Sequence, residues 1–192
     1  MSKYEMLIPL EKNIELLAGN VICRKIMEGS EEITEKTDKK KTAEWVKSAM
    51  ERMDSLVEEE TRVKIMENCG YNCAIVNKKT IDRGKAKRMK YKTIEAFLEA
   101  EERKPMSGTR LVREGKLLHY FYTPKVFSRP MRCYCSLLRA LPEDETVSST
   151  YCNCSKGFVK KFWDSILDKP VQVQLIQSAV AGAEECEFII RY

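Results

Sequence analysis

Six of the eight cysteines stand in close pairs: Cys69 with Cys73, Cys133 with Cys135, and Cys152 with Cys154. Each spacing has a geometric meaning. Residues four apart on a helix share a face, so Cys69 and Cys73 become neighbours if the helix runs through Gly70. Residues two apart on a strand share a face, so Cys133 and Cys135 turn both sulfurs to one side, and Cys152 and Cys154 do the same if Tyr151 to Cys154 is extended. Two Cys-x-Cys pairs separated by 16 residues can converge on a tetrahedral sulfur site. Thiolates are soft ligands that suit zinc, an ion with no geometric preference of its own. Metal binding is favoured over simple packing, with Cys133, Cys152 and Cys154 leading the ligand set. Cys69 and Cys73 either complete it from the helical half or form a separate redox pair. Cys23 and Cys186 stand alone and read as small core residues.

His119 is the only histidine. It alternates with Leu117 and Phe121, so it shares their sheet face, and its pKa near neutrality makes it the first choice for any acid–base role. The other face of that segment carries Leu118, Tyr120 and Tyr122. Rings with hydroxyl tips suit a pocket that grips an aromatic ligand and orients one polar group; each tyrosine taken singly equally suits an ordinary sheet core. No serine nucleophile elbow, phosphate-cradling glycine loop or dinucleotide fingerprint is present. The basic run Arg83, Lys85, Lys87, Arg88, Lys90 and Lys92 has the side chains that contact phosphates. A solvated face explains it better, with Glu101 and Glu102 nearby to offset the charge.

Composition narrows the classes further. The chain has 192 residues, 43% of them apolar, with 34 basic against 29 acidic side chains. That is enough for a sizeable core, and the net charge of +5 is too small to imply nucleic acid. No apolar run approaches the roughly 20 residues that span a bilayer, and Glu5 and Glu11 near the start do not fit a secretory leader. The cysteines therefore point to a reducing, cytoplasmic setting, where clustered thiols hold metal or do redox chemistry more often than they form disulfides.

The elements that must position these residues divide by period. Apolar positions predict a helix from about Asn13 to Glu28, stopped by Gly29, then a charged linker over Ser30 to Lys41. A second helix starts near Thr42 and ends around Cys69-Gly70, and a short one carries Ile94, Phe97 and Leu98. From Gly108 the period changes to two. Thr109 to Arg113 and Lys116 to Thr123 form a hairpin about Glu114-Gly115. Met131 to Arg139 is a third strand. Ser155 caps a helix bearing Phe158, Phe162, Trp163, Ile166 and Leu167. Val171 to Ala179 and Glu185 to Tyr192 are the last strands. The expected class is α+β: N-terminal helices, then an antiparallel sheet with an inserted helix. The helical part covers 1–106 and the cysteine-rich sheet part 107–192, together one compact unit.

The run YCNCSKGF, a helix, PVQVQLIQSAVAG and ECEFII resemble the C-terminal half of the 4-vinyl reductase (hydrocarbon-binding) domain family, over Met131 to Tyr192. Earlier in the chain only the CGYNC pair is similar. The family's turn usually carries Gly-Asp, whereas Gly182 is followed here by Ala183. The resemblance implies a fold that encloses a small apolar or aromatic ligand between sheet and helices, a cysteine-held zinc beside the pocket, and a homodimer. On this reading the pocket draws on His119, Tyr120, Tyr122, Phe158, Phe162 and Trp163, and the zinc fixes two irregular segments, its affinity counting as folding free energy. The alternative is a zinc- or thiol-dependent hydrolase similar to 2-aminothiazoline-4-carboxylate hydrolases. There, three cysteines plus His119 or water would leave the ion an open position.

Overall fold

Side-chain caps start two of the helices. Asp38 accepts hydrogen bonds from the amides of Lys40 and Lys41 and so opens α3 (Lys39–Leu56), inside the stretch expected to be a linker. Thr93 caps α6 (Ile94–Arg103) in the same way. The computed structural model describes residues 4–123, 125–126, 129–130 and 132–192, with 125–126 and 129–130 described by backbone alone.

Seven helices precede or interrupt the sheet among the described residues. The expected first helix is two, α1 (Ile8–Ala18) and α2 (Asn20–Ile26), broken at Gly19, whose φ of 84° only glycine adopts cheaply. The expected second helix is also two. α3 stops at Leu56 and α4 (Glu59–Val76) begins after an extended Val57. Gly70 lies inside α4 rather than ending it. α5 (Lys78–Arg88) takes up most of the basic run.

Strands β1 (Thr109–Glu114) and β2 (Leu117–Tyr122) form the expected hairpin, and β5 (Gln172–Gln177) and β6 (Cys186–Arg191) complete a four-stranded antiparallel sheet of order β1-β2-β6-β5. Lys125–Val126 (β3) and Arg129–Pro130 (β4) make a separate two-stranded pair. The third strand is absent where it was expected: Arg132 to Arg139 is bends and turns, and Met131 lies outside the described residues. Its backbone follows Arg132, whose guanidinium donates to the carbonyls of Pro142, Glu143, Glu145, Ala179 and Val180. Five accepting oxygens around one cation hold this segment as a loop.

α7 (Asn153–Leu167) is the inserted helix. It begins two residues before Ser155, and Ser149–Cys152 before it is a 3-10 turn. Tyr151 to Cys154 is thus helical, and the idea that Cys152 and Cys154 share a strand face is corrected.

Two apolar clusters form the interior. One joins α1–α4 to Leu137, Leu138, Leu141, Val147 and Tyr151. The other joins α5 and α6 to the inner face of the sheet and to α7. Each cluster takes residues from both sides of position 106, so the helical and sheet parts interleave. No helix among the described residues is long and apolar enough to cross a membrane.

Candidate thiol site

α4 and α7 cross closer than side chains usually permit. A Cβ on Gly70 would stand 2.1 Å from the Cys154 carbonyl oxygen, and one on Gly157 would stand 2.2 Å from that of Glu67. The two missing side chains let the backbones touch, and the Lys156–Glu67 ion pair at 2.7 Å spans the crossing. This contact places the α4 thiols of Cys69 and Cys73, one turn apart, against Cys154 in the first turn of α7.

The loop beginning at Arg132 brings two more. Cys133 accepts from the Cys135 amide at 3.4 Å, and Cys135 accepts from the Tyr151 hydroxyl at 3.0 Å. The Cys154 thiol lies within electrostatic range of Cys69, Cys135, Cys73 and Cys133, and Cys73 within range of Cys135. Five sulfurs from three separate segments therefore share one neighbourhood. Asn13 donates to Cys69 at 3.8 Å and Asn77 to Cys73 at 3.4 Å, orienting both α4 thiols.

Burial sets their protonation. It pushes the Cys69 and Cys133 thiols up to about 12 and raises Cys73 and Cys154, because a thiolate loses its hydration there. Without a cation these four are neutral thiols. As placed, no group of three or more His, Cys, Asp or Glu side chains among the described residues is arranged to hold a metal ion. The donor set itself is soft and suits zinc or a similar thiophilic metal.

Cys152 lies within electrostatic range of Cys133 but makes its hydrogen bond elsewhere. Its Sγ lies 2.8 Å from the Ser178 hydroxyl, while the amide of Ala179 donates to Cys186 at 3.4 Å. Interaction with the Cys152 thiol, and then the Ala179 amide bond, lowers the Cys186 thiol to about 7. Cys186 is therefore not an isolated packing residue.

The residues expected to line a pocket separate into two groups. On the inner sheet face Tyr120 meets Tyr122 at 5.7 Å and Trp163 at 5.5 Å between ring centroids, and Trp163 meets Phe162 at 5.8 Å. Phe158 packs against the same cluster, so these rings fill the layer between sheet and α7. Two surface depressions of the described chain lie elsewhere, along Glu59–Glu67 and beside Ser178. His119 is on the opposite face, opposite Val112 and Ile189. Its Nδ1 is 2.8 Å from Glu187 and its Nε2 3.1 Å from Glu114. It faces neither the thiols nor the rings.

Those two carboxylates raise the His119 pKa above its ordinary 6.5, the Glu187 hydrogen bond most strongly. A raised folded value stabilises the protein fully below the unfolded pKa near 6.5 and is lost as pH rises through the folded one. The imidazole should titrate above 6.5 by NMR, and the pH-dependent stability, under about 1 kcal/mol for this partly exposed group, should vanish in His119→Gln. A midpoint at or below 6.5 contradicts this.

Sequence reasoning missed Arg132, since its partners are all backbone carbonyls that no residue pattern announces. The same holds for the glycine crossing. The profile of a family described as "Family of unknown function (DUF6144)" matches residues 8–191. No curated protein matches the chain.

Proposed function

Because the chain belongs to DUF6144, a family of unknown function, we propose its role from its own thiols: it is a zinc-holding protein. In this reading Cys69, Cys73, Cys133, Cys135 and Cys154 supply the ligands. The observation that carries the reading is the gathering of these five sulfurs from α4, the loop after Arg132 and the start of α7 around Cys154. Each cysteine has a single side-chain torsion before its sulfur, so rotamer changes alone move a sulfur through a few ångströms. Zinc would draw four of them into a tetrahedron at about 2.3 Å.

The metal would be structural rather than catalytic. Five available thiols close a four-coordinate ion without leaving a position for water. His119, the one imidazole, faces away on the outer side of the sheet, so a hydrolase would lack its expected base. Zinc would fix the turn-rich Arg132 to Arg139 segment, which has few ladder hydrogen bonds, onto the α4–α7 crossing. The apolar-ligand role implied by the resemblance would need the packed rings of Tyr120, Phe162 and Trp163 to part, and so ranks behind the metal.

The test is elemental analysis of the full chain, expressed with zinc and purified under reducing conditions. About one zinc per chain is expected, and Cys69→Ser or Cys154→Ser should reduce it severely. Stripping the metal with a strong chelator should lower Tm by about 10 °C, as loss of about 4 kcal/mol of metal-linked stability does in a chain of this size. Less than about a tenth of a zinc per chain, or a Tm that the chelator leaves unmoved, overturns the proposal.

A further inference from the structure

A second thiol pair borders the five-cysteine cluster, within electrostatic range of Cys133. Cys152 precedes the first residue of α7, and Cys186 opens β6. They are 34 positions apart in the chain, yet two consecutive residues touch both sulfurs. The Ser178 hydroxyl is 2.8 Å from Cys152 Sγ, and the Ala179 amide donates to Cys186 Sγ at 3.4 Å. One short stretch of backbone thus holds the two thiols side by side. Hydrogen bonds to Ser178 and Ala179, not to the other thiols, define this pair, and two neighbouring thiols can join as a disulfide.

Access comes from the same stretch. Ser178 lines a surface depression of about 330 Å³, with Ser149, Leu175, Gln177 and Ala183 around it. Both thiols are buried, at 3% and 6% exposure, and the Ser178 side chain stands between the depression and Cys152. Gly182, with φ 110°, allows the tight 179–181 turn beside it.

We propose that Cys152 and Cys186 form a dithiol that exchanges with a low-molecular-mass disulfide entering through this depression. Cys186 is the attacking sulfur, because its Sγ already accepts the Ala179 amide at 3.4 Å, a bond that favours its thiolate. It displaces one thiolate from the incoming disulfide, which takes up a proton, and a mixed disulfide remains on Cys186. Cys152 then loses its proton and attacks the Cys186 sulfur, expelling the second small thiol. The balance is two protein thiols and one small disulfide giving one Cys152–Cys186 disulfide and two small thiols. The small disulfide is reduced and the protein oxidised. Consecutive residues, Ser178 and Ala179, hold the two sulfurs, and closing them to a bond of about 2.05 Å completes the disulfide. This inference does not depend on zinc.

The experiment uses the full chain as purified, with oxidised glutathione as the probe, followed by alkylation of free thiols and peptide mapping. The expected product has lost two hydrogens and yields one peptide pair joined through Cys152 and Cys186. In Cys152→Ser the resolving thiol is gone, so a glutathione adduct should accumulate on Cys186 by at least about tenfold over the native chain. Alkylation of both Cys152 and Cys186 after exposure overturns the inference, as does oxidation confined to Cys69, Cys73, Cys133, Cys135 or Cys154. The native chain's map decides the matter even if the variant fails to fold.

Discussion

A Gly157→Ala chain should lose about 3 kcal/mol of stability, the top of the usual range for overpacking, and its Tm should fall by roughly 6–12 °C. Helix propensity alone argues the opposite, since alanine in a helix interior is favoured over glycine by about 1 kcal/mol. Sterics decide the sign. The new methyl would stand 2.2 Å from the Glu67 carbonyl oxygen, and its reciprocal at Gly70 2.1 Å from that of Cys154. Both obstacles are backbone of a packed helix and do not swing aside, so α4 and α7 must separate. Gly84 supplies the control: its nearest obstacle is the Ile166 Cδ1 methyl at 2.6 Å, the end of a flexible side chain, and Gly84→Ala should cost far less. Gly70→Ala should match Gly157→Ala, and the double variant should cost less than the sum, because one separation relieves both clashes. Thermal denaturation measures all four chains. If Gly157→Ala lies within about 1 kcal/mol of the native chain, the close crossing is wrong. Because Cys69, Cys73 and Cys154 flank the same contact, the alanine variants should also bind less zinc.

Trp163 provides the second large effect, and a contrast within it. The side chain is 2% exposed and touches Phe97, Tyr120 and Phe162 at centroid distances of 6.5, 5.5 and 5.8 Å. Trp163→Ala removes a ring from the centre of this layer and should cost about 3–5 kcal/mol. The indole Nε1, though, is buried without a hydrogen-bond partner. An unmade buried bond costs about 1–3 kcal/mol, and Trp163→Phe removes that penalty while keeping most of the aromatic contact. The phenylalanine variant should therefore stay within about 1.5 kcal/mol of the native chain by urea unfolding. Equal losses for both variants would mean that Nε1 is satisfied and that its bond contributes.

Much of the architecture is legible in the residues because period reports burial directly. The hairpin, the faces of β2 and the apolar stripe from Phe158 to Leu167 follow from alternation at two and at 3.6, although the turn is Gly115-Lys116, one residue past the expected Glu114-Gly115, because Glu114 pairs with Leu117. Local patterns fail where a distant partner decides. Gly70 looks like a helix stop because glycine is common there, but it is retained inside α4 for the backbone of α7. Arg132 to Arg139 alternates like a strand, yet one guanidinium collects its surroundings into a loop. Tyr151 to Cys154 is extended only if no helix claims it, and the 149–152 turn and α7 do. That last difference reassigned a site residue: Cys152 turns to Cys186 and Ser178, and Cys154 alone joins the α4 thiols. Spacing within each cysteine pair was informative. How three segments would meet depended on the crossing of α4 and α7, which no pair spacing encodes.

The strand order has a kinetic consequence. β6 lies between β2 and β5, and its bond from Glu187 to His119 joins residues 68 apart in sequence. Helices α1 to α7 can form from neighbours in the chain, but the inner edge of β2 stays open, with unanswered amides and carbonyls, until Cys186–Arg191 arrives. Loop closure of that length is slow relative to helix formation. Sheet completion should accordingly be the late step of folding, and in the interval before it the exposed flank of the hairpin is the surface most prone to pair with another molecule's strand.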